Sequence, residues 1–244
     1  MDSKKVMAIH SYKGGTGKTT CIVNLAAIYA KIGMKICLID FDVYAPSLTS
    51  YFNISPKYYI HDLLSGEAGI NEILVDYSKK LDLKGELHIA FSSPSKEDIQ
   101  GIEIRYDDNF QLKALRQFLA IKRQLLEKEG FDYILIDTSP GIRYWSINAL
   151  AISDILFLML KVNNMDINGT KRMIKEIYDA LTRYGLSSYL ILNKVPGASP
   201  IDYEPGLLQE IENEISDTLE LPIFLSIPCY CDIQFNRNEF LWAL

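Results

Sequence analysis

The sequence predicts an α/β fold, a doubly wound and mainly parallel sheet with helices on both faces. Three observations carry that expectation. Seven short apolar runs alternate with helix-like segments along the 244 residues. The runs are continuously apolar, as strands covered on both faces must be, rather than alternating with polar residues. A glycine-rich turn, Lys13-Gly14-Gly15-Thr16-Gly17-Lys18-Thr19-Thr20, joins the first run to the first helical segment.

The elements follow in order. Val6–Ser11 reads as the first strand. In Lys18–Gly33, Ile22, Leu25, Ala26, Tyr29 and Ile32 recur at helical spacing, and Gly33 is a natural stop. Lys35–Asp40 closes the first strand-helix-strand unit, and repetition of that unit implies the doubly wound sheet. Leu87–Phe91 is the third run. Ser92–Asn109, of mixed charge and broken by proline, reads as a flexible insertion. Gln111–Glu129 is a helix with Leu115, Phe118, Leu119, Leu125 and Leu126 on its apolar side. Strands Tyr133–Asp137, Ile155–Leu160, Tyr189–Asn193 and Ile223–Ser226 are interleaved with helices Asp166–Tyr184 and Tyr203–Leu219. With no repeat, low-complexity stretch or long linker, one domain over residues 1–244 is expected.

Composition is that of an ordinary globular chain, 48 % hydrophobic and 23 % charged, against extensive disorder. Its 25 basic and 31 acidic side chains sum to −6, so bulk charge does not attract nucleic acid or anionic lipid, although a local basic patch could. Four cysteines in a chain of this size form no disulfide framework. Cys21 and Cys37 lie within apolar runs, as small core residues would. Cys229-Tyr230-Cys231 reads as structural or as half of a metal site that lacks its other half. His10, His61 and His88 show no metal-ligand spacing, so no zinc site is expected. Met1–Lys5 lacks a signal-peptide core, and the apolar stretch Ala149–Val162 is too short and too polar at Ser153 and Asp154 to span a bilayer. A reduced, cytoplasmic setting is expected.

The glycine-rich turn carries the chemistry. A phosphate-binding P-loop needs small residues so that backbone N–H groups can wrap phosphate oxygens, at a helix N-terminus whose dipole favours anions. Gly14, Gly15 and Gly17 allow the close approach, with Thr16 between them. Lys18 should neutralise β- and γ-phosphates, the Thr19 hydroxyl should ligate Mg2+, and Thr20 can donate to the α-phosphate. Tyr12 stands where the general pattern asks for glycine. Lys13 is a second lysine on the loop, which suggests an ATP site completed by a second copy. Phe131–Asp137 is an apolar strand ending in a carboxylate, the form of an acidic residue near Mg2+. Leu38-Ile39-Asp40-Phe41-Asp42 ends similarly, and alternation puts Asp40 and Asp42 on the same side. For Asp40 a solvated or capping role stands level with a functional one. Such carboxylates surround the crevice at the carboxyl ends of parallel strands.

Together these residues resemble the ParA/MinD family of ATPases. The glycine-rich turn is similar to the family's deviant Walker A motif. Leu38–Asp42 resembles switch I, and Asp137-Thr138-Ser139-Pro140-Gly141 resembles switch II. Leu192-Asn193-Lys194 and Ile227-Pro228 look like the adenine-side elements. The resemblance implies an ATP-sandwich homodimer in which Lys13 reaches the phosphates of the opposing subunit while Lys18 acts within its own. It further implies that Asp42 orients the attacking water and belongs with Thr19 and Asp137 at the Mg2+ site. Asn193, with Pro228, would contact adenine.

A positioning or partitioning switch is therefore expected, with a protein partner that stimulates hydrolysis. DNA is a candidate surface through Lys113, Arg116, Lys122 and Arg123, or Lys171, Arg172, Lys175 and Arg183; a solvated helix face is the plainer reading of each set. Asn238–Leu244 has almost no basic face, so direct membrane anchoring of the MinD kind is not expected. The alternative is an iron–sulfur or metal-cluster carrier or redox ATPase, which Asp42–Ser47 resembles but the cysteine placement does not support. A ligase or kinase would need an acceptor site, and none is recognisable. Arg143, Tyr144 and Trp145 follow switch II and could relay nucleotide state, though core packing is the commoner fate of such a tryptophan.

Overall fold

The structure is a computed structural model that describes residues 4–104, 108–178, 185–196 and 206–229. One eight-stranded sheet organises them: β1 Lys5–His10, β2 Lys35–Phe41, β3 Leu74–Asp76, β4 Glu86–Ala90, β5 Tyr133–Thr138, β6 Ile155–Lys161, β7 Ser187–Val195 and β8 Ile223–Pro228. The strand order is β3-β4-β2-β5-β1-β6-β7-β8, and only the β3–β4 pairing is antiparallel. Seven of these are the expected strands. The short edge strand Leu74–Asp76 was not expected, because three residues are too few to show a period.

Alternation along the strands divides the interior into two cores. On one face Val6, Ala8, Cys37 and Ile39 pack with Phe118, Leu125, Trp145 and Met173 from the helices α6 (Asp108–Arg123), α7 (Tyr144–Ala151) and α8 (Asn164–Met173) and the turn that follows α6. On the other, Met7, Ile9, Ile36 and Leu38 pack with Ile22, Val23 and Ala26 of α1 (Lys18–Lys31) and with Phe52 of α2 (Leu48–Phe52). Trp145 is 1 % exposed, so it belongs to the core. Burial of such large side chains at about 25 cal/mol per Å2 is the main force holding helices to sheet.

Several local expectations are corrected. Ser92–Asn109 is not irregular, since it contains the helix α5 (Lys96–Ile104) and the start of α6. The helix expected over Gln111–Glu129 starts at Asp108 and ends in a π-helical turn, Gln124–Lys128. Leu119 and Ile32, placed on apolar stripes, are 47 % and 63 % exposed. Ile32 is the residue after α1, and Gly33 takes the left-handed φ of +105° that stops the helix. The helix expected from Asp166 begins at Asn164, capped by the Asn163 side chain, and passes into a π-helical turn at Ile174–Tyr178. The last helix among the described residues is α9, Leu207–Leu219. Two short helices, α3 (Ile60–Ser65) and α4 (Ile70–Ile73), precede β3. Residues 179–184, 201–205 and 230–244, and with them Arg183, Cys231 and Asn238–Leu244, lie outside the described residues.

The order of strands explains why the three motifs meet. β2, β5 and β1 are neighbours, and Asp137 is in register with Ile9 on one side and with Asp40 on the other. The segments that leave their carboxyl ends are the glycine-rich loop and the two switch-like turns.

Candidate functional site

The loop between β1 and α1 is shaped by its glycines. Gly15 and Gly17 adopt φ of +71° and +101°, conformations that other residues rarely take. Gly17 is also pressed by a neighbour: a methyl group there would lie 2.4 Å from Asn193 Nδ2. That amide donates to the Thr16 carbonyl at 2.6 Å, so β7 braces the loop from behind. No side chain caps α1, which leaves the amides of its first turn available to an anion.

Lys18 is buried and donates from Nζ to Ser11 Oγ at 3.0 Å; Ser11 Oγ in turn donates to the Lys13 carbonyl at 2.6 Å. Burial pulls its ammonium below the usual lysine range, against the attraction of Asp137 and Asp42. Thr19 Oγ1 donates to Asp137 Oδ2 at 2.6 Å, and the buried Asp137 Oδ1 has no hydrogen-bond partner. Burial raises the Asp137 carboxyl to about 7. A hydroxyl beside a carboxylate with one oxygen unclaimed is the hard-oxygen donor set that suits Mg2+, so these residues fit that ion. Thr20 Oγ1 shares a hydrogen bond of 2.8 Å with Tyr51 of α2, a partner that nothing in the sequence marked.

The two carboxylates of the second motif differ. Asp40 is fully buried and is not a solvated residue; its Oδ1 accepts from the Asp42 N–H at 3.0 Å, fixing the turn that leaves β2. Burial, then the neighbouring Asp137, pushes its carboxyl well above the ordinary range. Asp42 lies beyond the end of β2, where strand alternation no longer governs its direction. Its Oδ1 accepts from Ser139 Oγ at 2.7 Å and from the Ala45 N–H at 3.1 Å. The two switch-like turns are thus joined directly, and the Arg143 guanidinium over the Tyr44 ring, 4.4 Å from its centroid, joins them again. Gly141 donates its N–H to the Ser11 carbonyl at 2.8 Å, tying the second turn to the phosphate loop.

His10 ends β1 beneath the loop. Thr138 Oγ1 donates to the Ile9 carbonyl at 2.8 Å and lies 2.6 Å from His10 Nδ1. Burial, with the Lys18 charge nearby, lowers the imidazole to about 3 and keeps it neutral. At the other end of the sheet Asn193 is in register with Ile227, and Pro228 with Val195. This brings Asn193 and Pro228 to the same rim, although the Asn193 amide faces the loop.

Lys13 is housed differently from Lys18. Its side chain is 36 % exposed and its Nζ lies 3.6 Å from Asp166 Oδ1 of α8. Beside it the Tyr12 ring rests against Gly169 of the same helix. Among the proposed basic sets, Lys122 is committed to the Ile152 carbonyl and Asp154 Oδ1, and Arg172 pairs with Glu176. Cys37 is a core residue, whereas Cys21 lines an apolar cavity of about 210 Å3 with Phe157 and Phe224. Among the described residues no three His, Cys, Asp or Glu side chains converge as a metal cage requires, and no helix is long and apolar enough to cross a membrane.

Comparison with known proteins bears on the whole chain. A family model described as an AAA domain matches residues 4–187. The chromosome-partitioning ATPase Soj of Treponema pallidum is 26 % identical over 224 residues, 91 % of this chain and 82 % of that protein. The chromosome partitioning protein ParA of Caulobacter vibrioides is 29 % identical over 177 residues, 71 % of this chain and 62 % of its own length, so the match spans less than two thirds of that relative. Among solved structures, the septum site-determining protein MinD of Pyrococcus horikoshii, complexed with Mg-ADP, superposes with a TM-score of 0.71 at 22 % identity, over 98 % of this chain and 86 % of that one. That likeness bears out the doubly wound fold.

Proposed function

The chain belongs to the ParA/MinD family of ATPases, and from that premise we propose that it is an Mg2+-dependent ATP switch, a single ATPase domain that closes as a homodimer around ATP. The observation that carries the proposal is the unequal housing of the two loop lysines. Lys18 is buried and held within its own site, while Lys13 stands at the rim on one half-exposed contact.

In this reading Lys13 to Thr20 wrap the triphosphate, with Gly14, Gly15, Thr16 and Gly17 giving backbone N–H groups and Lys18 the charge. Thr19, Asp137 and Asp42 would hold Mg2+, and the ion would supply charge neutralisation for the triphosphate. The unclaimed Asp137 Oδ1 supports that assignment. Asp42 orients the attacking water. Its hydrogen bond from Ser139 means that a shift of either switch moves it. Lys13 of the second subunit adds a cation at the γ-phosphate as charge develops there. Arginines that act this way contribute about 10³–10⁵ in rate, and a lysine without the fork contributes less. Asn193 and Pro228 flank the adenine, with Asn193 also bracing the loop.

The names of Soj, ParA and MinD support a role in partitioning or positioning DNA or a cellular complex, with a protein partner that accelerates hydrolysis. For DNA, Lys113, Arg116 and Arg123 of α6 are better candidates than Lys122, which is already committed. The metal-cluster alternative draws no support from Cys21 or Cys37, one in an apolar cavity and the other in the core. Asp42→Ala tests the switch. The variant should bind ATP, accumulate as a dimer by light scattering and hydrolyse about 100-fold more slowly; unchanged turnover would remove Asp42 from the reaction.

A further inference from the structure

Tyr12 and Lys13 open the phosphate loop, and both are seated on α8. The Lys13 ammonium reaches Asp166 Oδ1 at 3.6 Å, in the first turn of that helix. Three residues on, Gly169 leaves room for the Tyr12 ring, since a methyl group there would lie 2.0 Å from Tyr12 Cδ1. Positions three apart share a helix face, so the two seats form one surface.

The carboxylate of this contact is buried and hydrogen-bonded, whereas the Lys13 side chain is partly in solvent. Asp166 is only 4 % exposed, its N–H donates to Asn163 Oδ1 at 3.0 Å, and its Oδ2 accepts from the Lys161 N–H at 3.4 Å. Lys13 keeps 36 % of its side chain in solvent at the end of four rotatable bonds. The ammonium cannot pair with Asp166 and lie on phosphates of another subunit at once. When it leaves, the carboxylate stays behind, buried and without its cation, which opposes departure further.

Resting on the sandwich-dimer reading above, we propose that Asp166 and Gly169 form a seat on α8 that holds Lys13 and Tyr12 against their own chain. Asp166 is then a positioning residue: it sets how readily the loop lysine is surrendered, and so the protein concentration at which ATP closes the dimer. A half-exposed ion pair biases an equilibrium by roughly twofold to threefold. A symmetric dimer breaks two such pairs, so the biases multiply to about fivefold.

The test is sedimentation velocity across protein concentrations, with Mg2+ and a non-hydrolysable ATP analogue. Wild type, Asp166→Asn, Asp166→Glu and Gly169→Ala are compared, with analogue affinity and thermal melting measured for each. Asp166→Asn keeps the shape and the acceptor but loses the charge, and should halve into dimer at about fivefold lower concentration. The shift should shrink at high salt, where the wild-type pair is screened. Asp166→Glu keeps the charge and should stay near wild type. Gly169→Ala, which displaces Tyr12 and with it Lys13, should move the same way as Asp166→Asn, and decides the matter if that variant fails to fold. A wild type that dimerises while Asp166→Asn shows an unchanged or higher midpoint, its analogue affinity intact, overturns the seat alone. A wild type that stays monomeric throughout overturns the dimer reading, and the seat with it.

Discussion

The two ends of the phosphate loop are housed differently. At the α1 end Lys18 is buried, hydrogen-bonded to Ser11 and drawn by the carboxylates of Asp137 and Asp42. At the β1 end Lys13 is half-exposed and rests on one carboxylate of a different helix. A cation that must meet its phosphate in every cycle benefits from preorganisation, which costs nothing further at the moment of reaction. A cation that must cross to another molecule has to be free to leave.

That contrast is broken first at its rigid end. Lys18→Ala removes the buried charge, and ATP affinity should fall at least about 100-fold, as measured by titration with a fluorescent analogue. Retained micromolar affinity would mean that the buried lysine does not serve the phosphates.

A second test uses the electrostatic strain around Lys18. In the fold Asp137 keeps its proton up to about pH 7, while its ordinary value is 3.8. The folded state therefore holds the extra proton between those values, and stability is lost as pH rises through them. Asp137→Asn abolishes that loss. Without nucleotide it should exceed wild type by roughly 2–4 kcal/mol at pH 8 and by far less at pH 5, in urea melts. His10 acts in the opposite sense, because it is neutral in the fold down to about 3 and its stabilisation is lost as pH falls below its ordinary 6.5. Both proteins keep His10, so it cancels in the difference. The same variant should lose the extra stability that wild type gains from Mg-ATP. An Asp137→Asn protein no more stable at pH 8 than wild type would show that the carboxylate is not strained.

The smallest effect is expected where β7 braces the loop. Asn193→Ala deletes the 2.6 Å bond to the Thr16 carbonyl, and nucleotide affinity should fall about fivefold. A loss near that of Lys18→Ala would mean that the side chain carries the adenine contact as well.

The buried end is far more legible in the sequence than the half-exposed one. Glycines before a lysine and two threonines, between an apolar strand and an amphipathic helix, are local features, and so is a strand ending in Asp137. What joins them is not local. Asp166 stands 153 residues from Lys13, and Ser139 lies 97 residues from Asp42; only the strand order β2-β5-β1-β6 brings such pairs together. Asp166 reads in sequence as the first residue of a helix, and nothing in its spacing marks a partner for Lys13. For Asp40 the sequence leaves solvated, capping and functional roles open, and its burial, which excludes only the first, depends on β4 and β5 at either side. Helix α5 escaped because Lys96–Ile104 is short, with Ile99, Ile102 and Ile104 as its few apolar residues and Gly101 among them.

The central claim is that one lysine of the loop serves its own site and the other serves a second copy. Sedimentation equilibrium of wild type and Lys13→Ala, each with Mg2+ and a non-hydrolysable ATP analogue, tests it most directly. The account predicts that both bind the analogue with affinities within about threefold, that wild type becomes a dimer, and that Lys13→Ala remains a monomer. A Lys13→Ala protein that dimerises on the analogue as readily as wild type would contradict it.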